Sequence, residues 1–169
     1  VQVIGRDDDN TVQMLVLNGG GIGQNKAVTL ERPVKLPPLT EKDRGAIEIG
    51  RAHGLNHFAL SFANHGEDVE EIRSVAGEDA FIISKIESRS GLDHMEAIAA
   101  RSNALLIDRG DLSREVPIER LPSTQKSILQ RGRKAGVPVY VATNLLESMV
   151  TLPNPTRAEV NDIYNTLLD

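Results

Sequence analysis

The sequence predicts an α/β fold built on a parallel sheet, and three observations predict it. From residue 40 onward, four short apolar runs alternate with amphipathic segments that carry helix start and stop signals. Each run is apolar until its C-terminal end, where reactive side chains gather. Residues 1–29 follow a different pattern and read as antiparallel β.

Taken in order, Val12–Leu17 is rich in strand formers, and Asp7–Asn10 before it reads as a tight hairpin turn. Gly19–Gly23 makes a second break. No helix pattern follows it and no Gly-Lys-Ser/Thr is present, so it reads as a turn rather than a phosphate-binding loop. Glu31–Leu39 holds Pro33, Pro37 and Pro38, which suppress helix and central strand and make it a connector. Thr40 with Asp43 is an N-cap with an acidic first turn, and Gly54 closes that helix. Phe58–Phe62 is the first buried strand, followed by a helix over Asp68–Ala76 ending at Gly77. Phe81–Ile86 is the second strand and Leu92–Ala100 the next helix. Ala104–Ile107 is the third strand, then a long helix spans Ser123–Ala135 up to Gly136. Val137–Ala142 is the fourth strand and Asn144–Met149 a short helix. Thr156 and Glu159 form a capping box that opens a last helix.

Composition narrows the function classes. The 169 residues carry 19 basic and 24 acidic side chains, a net charge of −5, with 40% hydrophobic and 25% charged residues, as in a globular chain. No apolar run approaches the roughly 20 residues of a membrane span. Val1–Ile4 has neither a basic nor an apolar signal region. There is no cysteine, which excludes disulfides and thiolate metal sites. The mild acidity and the lack of long basic runs argue against general nucleic-acid binding. A soluble cytoplasmic protein is expected.

The strand ends carry Ser61, then Lys85 and Glu87, then Asp108, Arg109 and Asp111, then Thr143 and Asn144. In a (β/α) barrel or an open α/β sheet, that edge is where ligands bind. Lys85 and Glu87 are two apart, so on a strand they share a face. Oxygen donors from Glu87 and Asp111 suit Mg²⁺, which takes one or two carboxylates and fills its shell with water and substrate oxygens. An ammonium beside them would stabilise charge developing on a substrate oxygen. The bland alternative makes Lys85–Glu87 and Arg109–Asp111 plain ion pairs. His53, His57, His65 and His94 share no metal-ligand spacing. Arg157 with Glu159 is expected as a structural ion pair. Lys126, Arg131, Arg133 and Lys134 are expected on a solvated helix face.

At these residues a family resemblance enters. Ile83–Glu87, Asp108–Leu112, Glu115–Glu119, Gln125–Lys126, Ala142–Met149 and Pro155–Glu159 resemble pyruvate kinase motifs in order and approximate spacing. Thr40–Asp43 and Ser61–Phe62 fit earlier positions. The resemblance implies a partial TIM (β/α)8 barrel over residues 30–169, with strands resembling the fourth to seventh. Residues 1–29 would be the end of an inserted β-barrel lid. It implies phosphoryl transfer from phosphoenolpyruvate to ADP, giving pyruvate and ATP, with Mg²⁺ (or Mn²⁺) and usually K⁺, whose ligands lie elsewhere in the family. By motif position Glu87 and Asp111 would hold the metal, and Lys85 and Thr143 would be catalytic. The backbone N–H groups around Arg109, Gly110 and Asp111, with Thr143, would receive the substrate, and Lys26 would face the nucleotide. A homo-oligomer is implied, tetrameric in the family.

The chain departs from the family pattern at several positions. Asp108 stands for a common alanine, Ser113 and Ala27 for glycines, Asn144 for a glutamine, Ser90 for a glutamate and Asn64 for an arginine. Four strands are also half of a closed barrel, which typically takes roughly 250 residues. The residues therefore read as part of a larger active unit. The competing readings are an inactive regulatory relative and another Mg²⁺-dependent barrel enzyme acting on phosphoenolpyruvate or pyruvate, such as a carbon–carbon lyase.

Overall fold

The computed structural model describes residues 1–21, 23–24, 30 and 34–169. Lys26 and Ala27 lie outside them. The chain divides into two compact units, Val1–Val34 and Lys35–Asp169, at the proline-rich connector.

In the first unit β1 (Gln2–Arg6) pairs antiparallel with β2 (Val12–Leu15), with a register shift between Val3 and Gly5. The turn sits where the acidic tetrad predicts it: Asn10 N–H donates to the Asp8 carboxylate at 2.7 Å, and Asp7 N–H to Thr11 O at 3.0 Å. β2 ends at Leu15 rather than Leu17, because Leu15 already pairs with Gln2 at the start of β1. A two-stranded ribbon cannot bury its side chains, and Val3, Ile4, Val12 and Met14 are exposed.

In the second unit β3 (His57–Leu60), β4 (Phe81–Ile86), β5 (Ala104–Asp108) and β6 (Val139–Ala142) form one parallel sheet in chain order. The helices are α1 (Glu41–Ala52), α2 (Gly66–Ala76), α3 (Arg89–Asp93), α4 (Met95–Ala99), α5 (Arg109–Leu112), α6 (Leu121–Ala135) and α7 (Arg157–Leu168). Strand order that follows chain order is the arrangement of a (β/α) barrel, here as an arc of four strands. β4 shows why it sits there: Ile82, Ser84 and Ile86 are buried, while Phe81, Ile83 and Lys85 on the other face are half-covered. Leu105 and Ile107 on β5 join Ile72 of α2, Ile98 of α4 and Ile128 of α6 in the core. Each such fully buried aliphatic side chain contributes about 1.5–3 kcal/mol.

The helix starts follow the predicted caps. Thr40 Oγ accepts from Asp43 N–H at 3.2 Å and Asp43 accepts from Thr40 N–H at 2.8 Å. Thr156 and Glu159 repeat this at 3.3 and 2.7 Å. Gly77 (φ 98°) ends α2, and Gly136 (φ 71°) ends α6.

β3 runs His57–Leu60 and stops short of Phe62, whose φ is 50°, while β5 extends to Asp108. Four further differences each have a local reason. The helix expected over Leu92–Ala100 is two short ones. Ser88 caps Gly91 N–H at 3.0 Å and starts α3 early, and His94 leaves helical geometry at φ −105° and ψ 16°. β6 starts at Val139, because Val137 N–H still closes α6 on Gly132 O at 3.0 Å. α5 was not expected and is opened by the Asp108 side chain. The helix expected over Asn144–Met149 is only a 3₁₀ turn at Glu147–Val150. Thr143, Asn144 and Leu146 hold left-handed φ of 70°, 54° and 70°, which no right-handed helix accommodates. Among the described residues no helix is long and apolar enough to cross a membrane.

Candidate active site

The C-terminal ends of β3 to β6 bring the expected residues together. Lys85 closes β4 on the less covered face, and its Nζ lies 2.6 Å from Glu87 Oε1, 3.3 Å from Asp108 Oδ2 and 3.4 Å from Ser61 Oγ. Two-residue spacing does place Lys85 and Glu87 on one side. The Glu87 side chain is fully buried, and its Oε2 accepts from Phe62 N–H at 2.6 Å. Oε1 has the ammonium as ion-pair partner but receives no aligned hydrogen bond, alone among buried side-chain atoms of the described residues. Burial works to lower the Lys85 pKa, and the facing carboxylates of Glu87 and Asp108 outweigh it and hold it above the ordinary value.

β5 delivers Asp108, and the chain turns directly into α5. Asp108 Oδ1 accepts from Gly110 N–H at 3.2 Å, from Asp111 N–H at a long 3.5 Å, and from Thr143 Oγ1 at 3.1 Å. Burial pushes the Asp108 pKa up, but the Thr143 hydroxyl, the Lys85 ammonium and the Asp111 N–H together hold it below the ordinary value. Gly110 N–H is shared with Thr143 Oγ1 at 3.0 Å. Thr143 is β-branched, so its φ of 70° is a strained backbone, and Phe62 at φ 50° is another. Both lie just beyond the C-terminal ends of strands, β6 and β3.

Carboxylate oxygens of Glu87, Asp108 and Asp111 all lie within 4.8 Å of one another. The fully buried Glu87 carboxylate beside two more hard oxygen donors fits a divalent cation such as Mg²⁺ or Mn²⁺. The sequence points to Glu87 and Asp111 as metal ligands and marks Asp108 only as a strand-end residue standing for a common alanine. Its place at the end of a strand, beside Arg-Gly-Asp, was the available signal.

Arg109 does not pair with Asp111. Its Nη1 donates to both carboxylate oxygens of Asp162 of α7 at 2.8 and 2.9 Å, and its Nη2 donates to Thr143 O at 2.9 Å and Asn144 O at 3.2 Å. Its side chain thus braces the strained loop, and Asp111 pairs with Arg114 at 3.2 Å. Nor does Glu159 pair with Arg157. As the third residue of α7 it accepts from the Ser148 hydroxyl and from Ser148 N–H at 2.8 Å and reaches back to Thr156 N–H, which together pull its pKa down to about 2. Two of the four basic residues expected on a solvated face have partners: Arg131 holds Glu96 at 2.6 Å and Lys126 holds Asp169 at 2.8 Å.

This arrangement has known relatives. The family described as pyruvate kinase, barrel domain, matches residues 1–169. The chain belongs to the pyruvate kinase family. It is 44% identical over 152 residues to a pyruvate kinase of Methylorubrum extorquens, covering 89% of this chain and 32% of the relative. A pyruvate kinase of Clostridium perfringens is 40% identical over 159 residues, covering 91% and 34%. "Pyruvate kinase 1" of Trypanosoma brucei brucei is 38% identical over 173 residues, covering 100% and 35%. The chain spans a third of the length of these curated relatives. Two of its departures from the pyruvate kinase pattern are neighbours: Asn64 Oδ1 accepts from Ser88 Oγ at 2.5 Å, and Asn64 O from Ser90 Oγ at 3.4 Å.

Proposed function

We propose that these residues form part of the active unit of a pyruvate kinase-type phosphotransferase, which moves the phosphoryl group of phosphoenolpyruvate to ADP. The observation that carries the reading is Lys85 at 2.6 Å from a buried glutamate, with Asp111 inside the same carboxylate cluster at the strand ends. Glu87 and Asp111 would hold Mg²⁺ or Mn²⁺, which when bound supplies positive charge for phosphate and enolate oxygens. Lys85 stabilises charge on the transferring phosphoryl group and on the enolate oxygen left behind. The Thr143 hydroxyl lines the pocket where the enolate carbon takes its proton. The N–H groups around Arg109, Gly110 and Asp111 receive the substrate carboxylate, which orients the reacting atoms.

Lys26 is proposed to face the nucleotide, residues 1–29 to belong to the lid, and residues 30–169 to the barrel. A groove along the edge of β3, lined by Leu39, Ile47, Leu55, Phe58 and Leu60, supports a sheet that continues into further barrel strands. Ligands for K⁺ would lie in that remainder. A cytoplasmic location and a homo-oligomeric state belong to the same proposal.

The test is pyruvate release from phosphoenolpyruvate and ADP by the complete protein that carries this chain, with Mg²⁺. Activity lowered about 100- to 1,000-fold by Lys85→Met is the expected result. No pyruvate, together with indifference to Lys85→Met, would instead mark an inactive relative. Cleavage of a 2-keto acid without nucleotide would mark a carbon–carbon lyase.

A further inference from the structure

Asp108 is engaged in a way its position does not require. Capping a four-residue helix needs one backbone donor. Here the carboxylate accepts from Gly110 N–H at 3.2 Å and lies within reach of Asp111 N–H at 3.5 Å, of the Thr143 hydroxyl at 3.1 Å, which it shares with Ala142 O at 2.7 Å, and of the Lys85 ammonium from β4 at 3.3 Å. Donors from three separate elements converge on a single carboxylate. Such a set is what a carboxylate ligand would need, and it is filled by a side chain of the chain itself. The Asp108 side chain is 13% exposed while that of Glu87 is fully buried, so Asp108 is the more accessible of the two carboxylates.

We infer that Asp108 is an internal carboxylate occupying the seat of the substrate carboxylate, so that substrate enters by displacing it. This rests on the proposed function, which assigns the same Gly110 and Asp111 N–H groups and Thr143 to substrate. Two costs to substrate follow. The donors must first be released from Asp108, and the displaced carboxylate stays near the incoming anion, with Glu87 and Asp111 close by. Asp108 thereby sets how much substrate is needed to fill the site. It is a specificity-determining residue that acts before chemistry.

The experiment uses the complete protein and oxalate as probe, a small dicarboxylate resembling enolpyruvate, titrated calorimetrically in the presence of Mg²⁺. Asp108→Ala vacates the seat and is expected to tighten oxalate binding by about tenfold. Asp108→Asn keeps the capping oxygen and the volume, so it folds where alanine fails, and it removes the charge. It is expected to tighten binding by a smaller factor, and to lower KM for phosphoenolpyruvate more than it changes kcat. Unchanged or weaker oxalate binding in Asp108→Asn, or no binding by any of the three proteins, overturns the inference. The two readings fail separately. Tightened oxalate binding with no phosphoryl transfer sinks the kinase reading alone, and phosphoryl transfer with unaltered oxalate affinity sinks the internal carboxylate alone.

Discussion

Replacing Lys85 by methionine removes a charge while keeping most of the side-chain volume, and its effect can be worked from the geometry. The ammonium lies 2.6 Å from Glu87 and 3.3 Å from Asp108. Breaking a buried ion pair from one side costs about 3–5 kcal/mol, because the orphaned charge stays behind. Lys85 is 21% exposed, so water can partly replace it, and a loss nearer about 1–3 kcal/mol is expected. Turnover should suffer more. Removing one donor aimed at developing negative charge costs about 100- to 1,000-fold in kcat. Divalent cation separates the two effects: by neutralising the Glu87 and Asp111 carboxylates it should shrink the stability loss while leaving the kcat loss in place. The assay is a pair of urea titrations, with Mg²⁺ and with chelator, beside steady-state pyruvate release. A stability loss identical with and without Mg²⁺, or a kcat loss under tenfold, would refute the reasoning.

Three further outcomes are expected. Gly132→Ala places a Cβ 2.2 Å from Val139 Cγ2 and should cost about 1–3 kcal/mol, whereas Gly45→Ala, with open space around it inside α1, should gain about 0.5–1 kcal/mol; thermal melting reads both, and equal signs would contradict the packing of α6 on β6. Arg109→Lys loses the fork that joins Asp162 to the carbonyls of Thr143 and Asn144, so the complete protein should show raised KM and faster proteolysis near residue 143, and unaltered kinetics would argue that the loop holds itself. Glu96, held by Arg131, and Glu159, held by Ser148 and Thr156, have folded pKa values lowered from 4.5 to about 2. A depressed carboxylate pKa gives stability that is complete above the unfolded value and lost as pH falls through the folded one, so acid melting should steepen from pH 4.5 towards 2. Arg131→Ala should flatten the part owed to Glu96, and an unchanged slope would discount that pair.

Some of this protein was legible from local pattern. The capping pairs Thr40–Asp43 and Thr156–Glu159 are satisfied within three residues, so spacing alone predicts them. β4 matches its predicted span residue for residue, since its alternation already encodes one buried face. The α/β class with a parallel sheet follows from strands and helices in strict succession, and the partial barrel from the resemblance to pyruvate kinase. Less legible were elements whose competing bonds come from elsewhere. The break at His94 depends on Ser88 capping early, with Gly91 pressed so closely against Ala63 O that a Cβ would sit 2.7 Å away.

The sequence by itself determined the order of the strands and the longer helices, the family and the residues with reactive side chains, because those rest on periodicity, caps and motif spacing. Only the tertiary structure decided their partners. Arg109 meets Asp162 across 53 positions, and Asp108 meets Thr143 across 35. Those meetings depend on the register of β4, β5 and β6, in which Lys85 lies level with Leu106 and Asp108 with Ala142. A charge two residues from another is readable in the chain, but which donors converge on Asp108 is settled by the sheet that stacks the strand ends side by side.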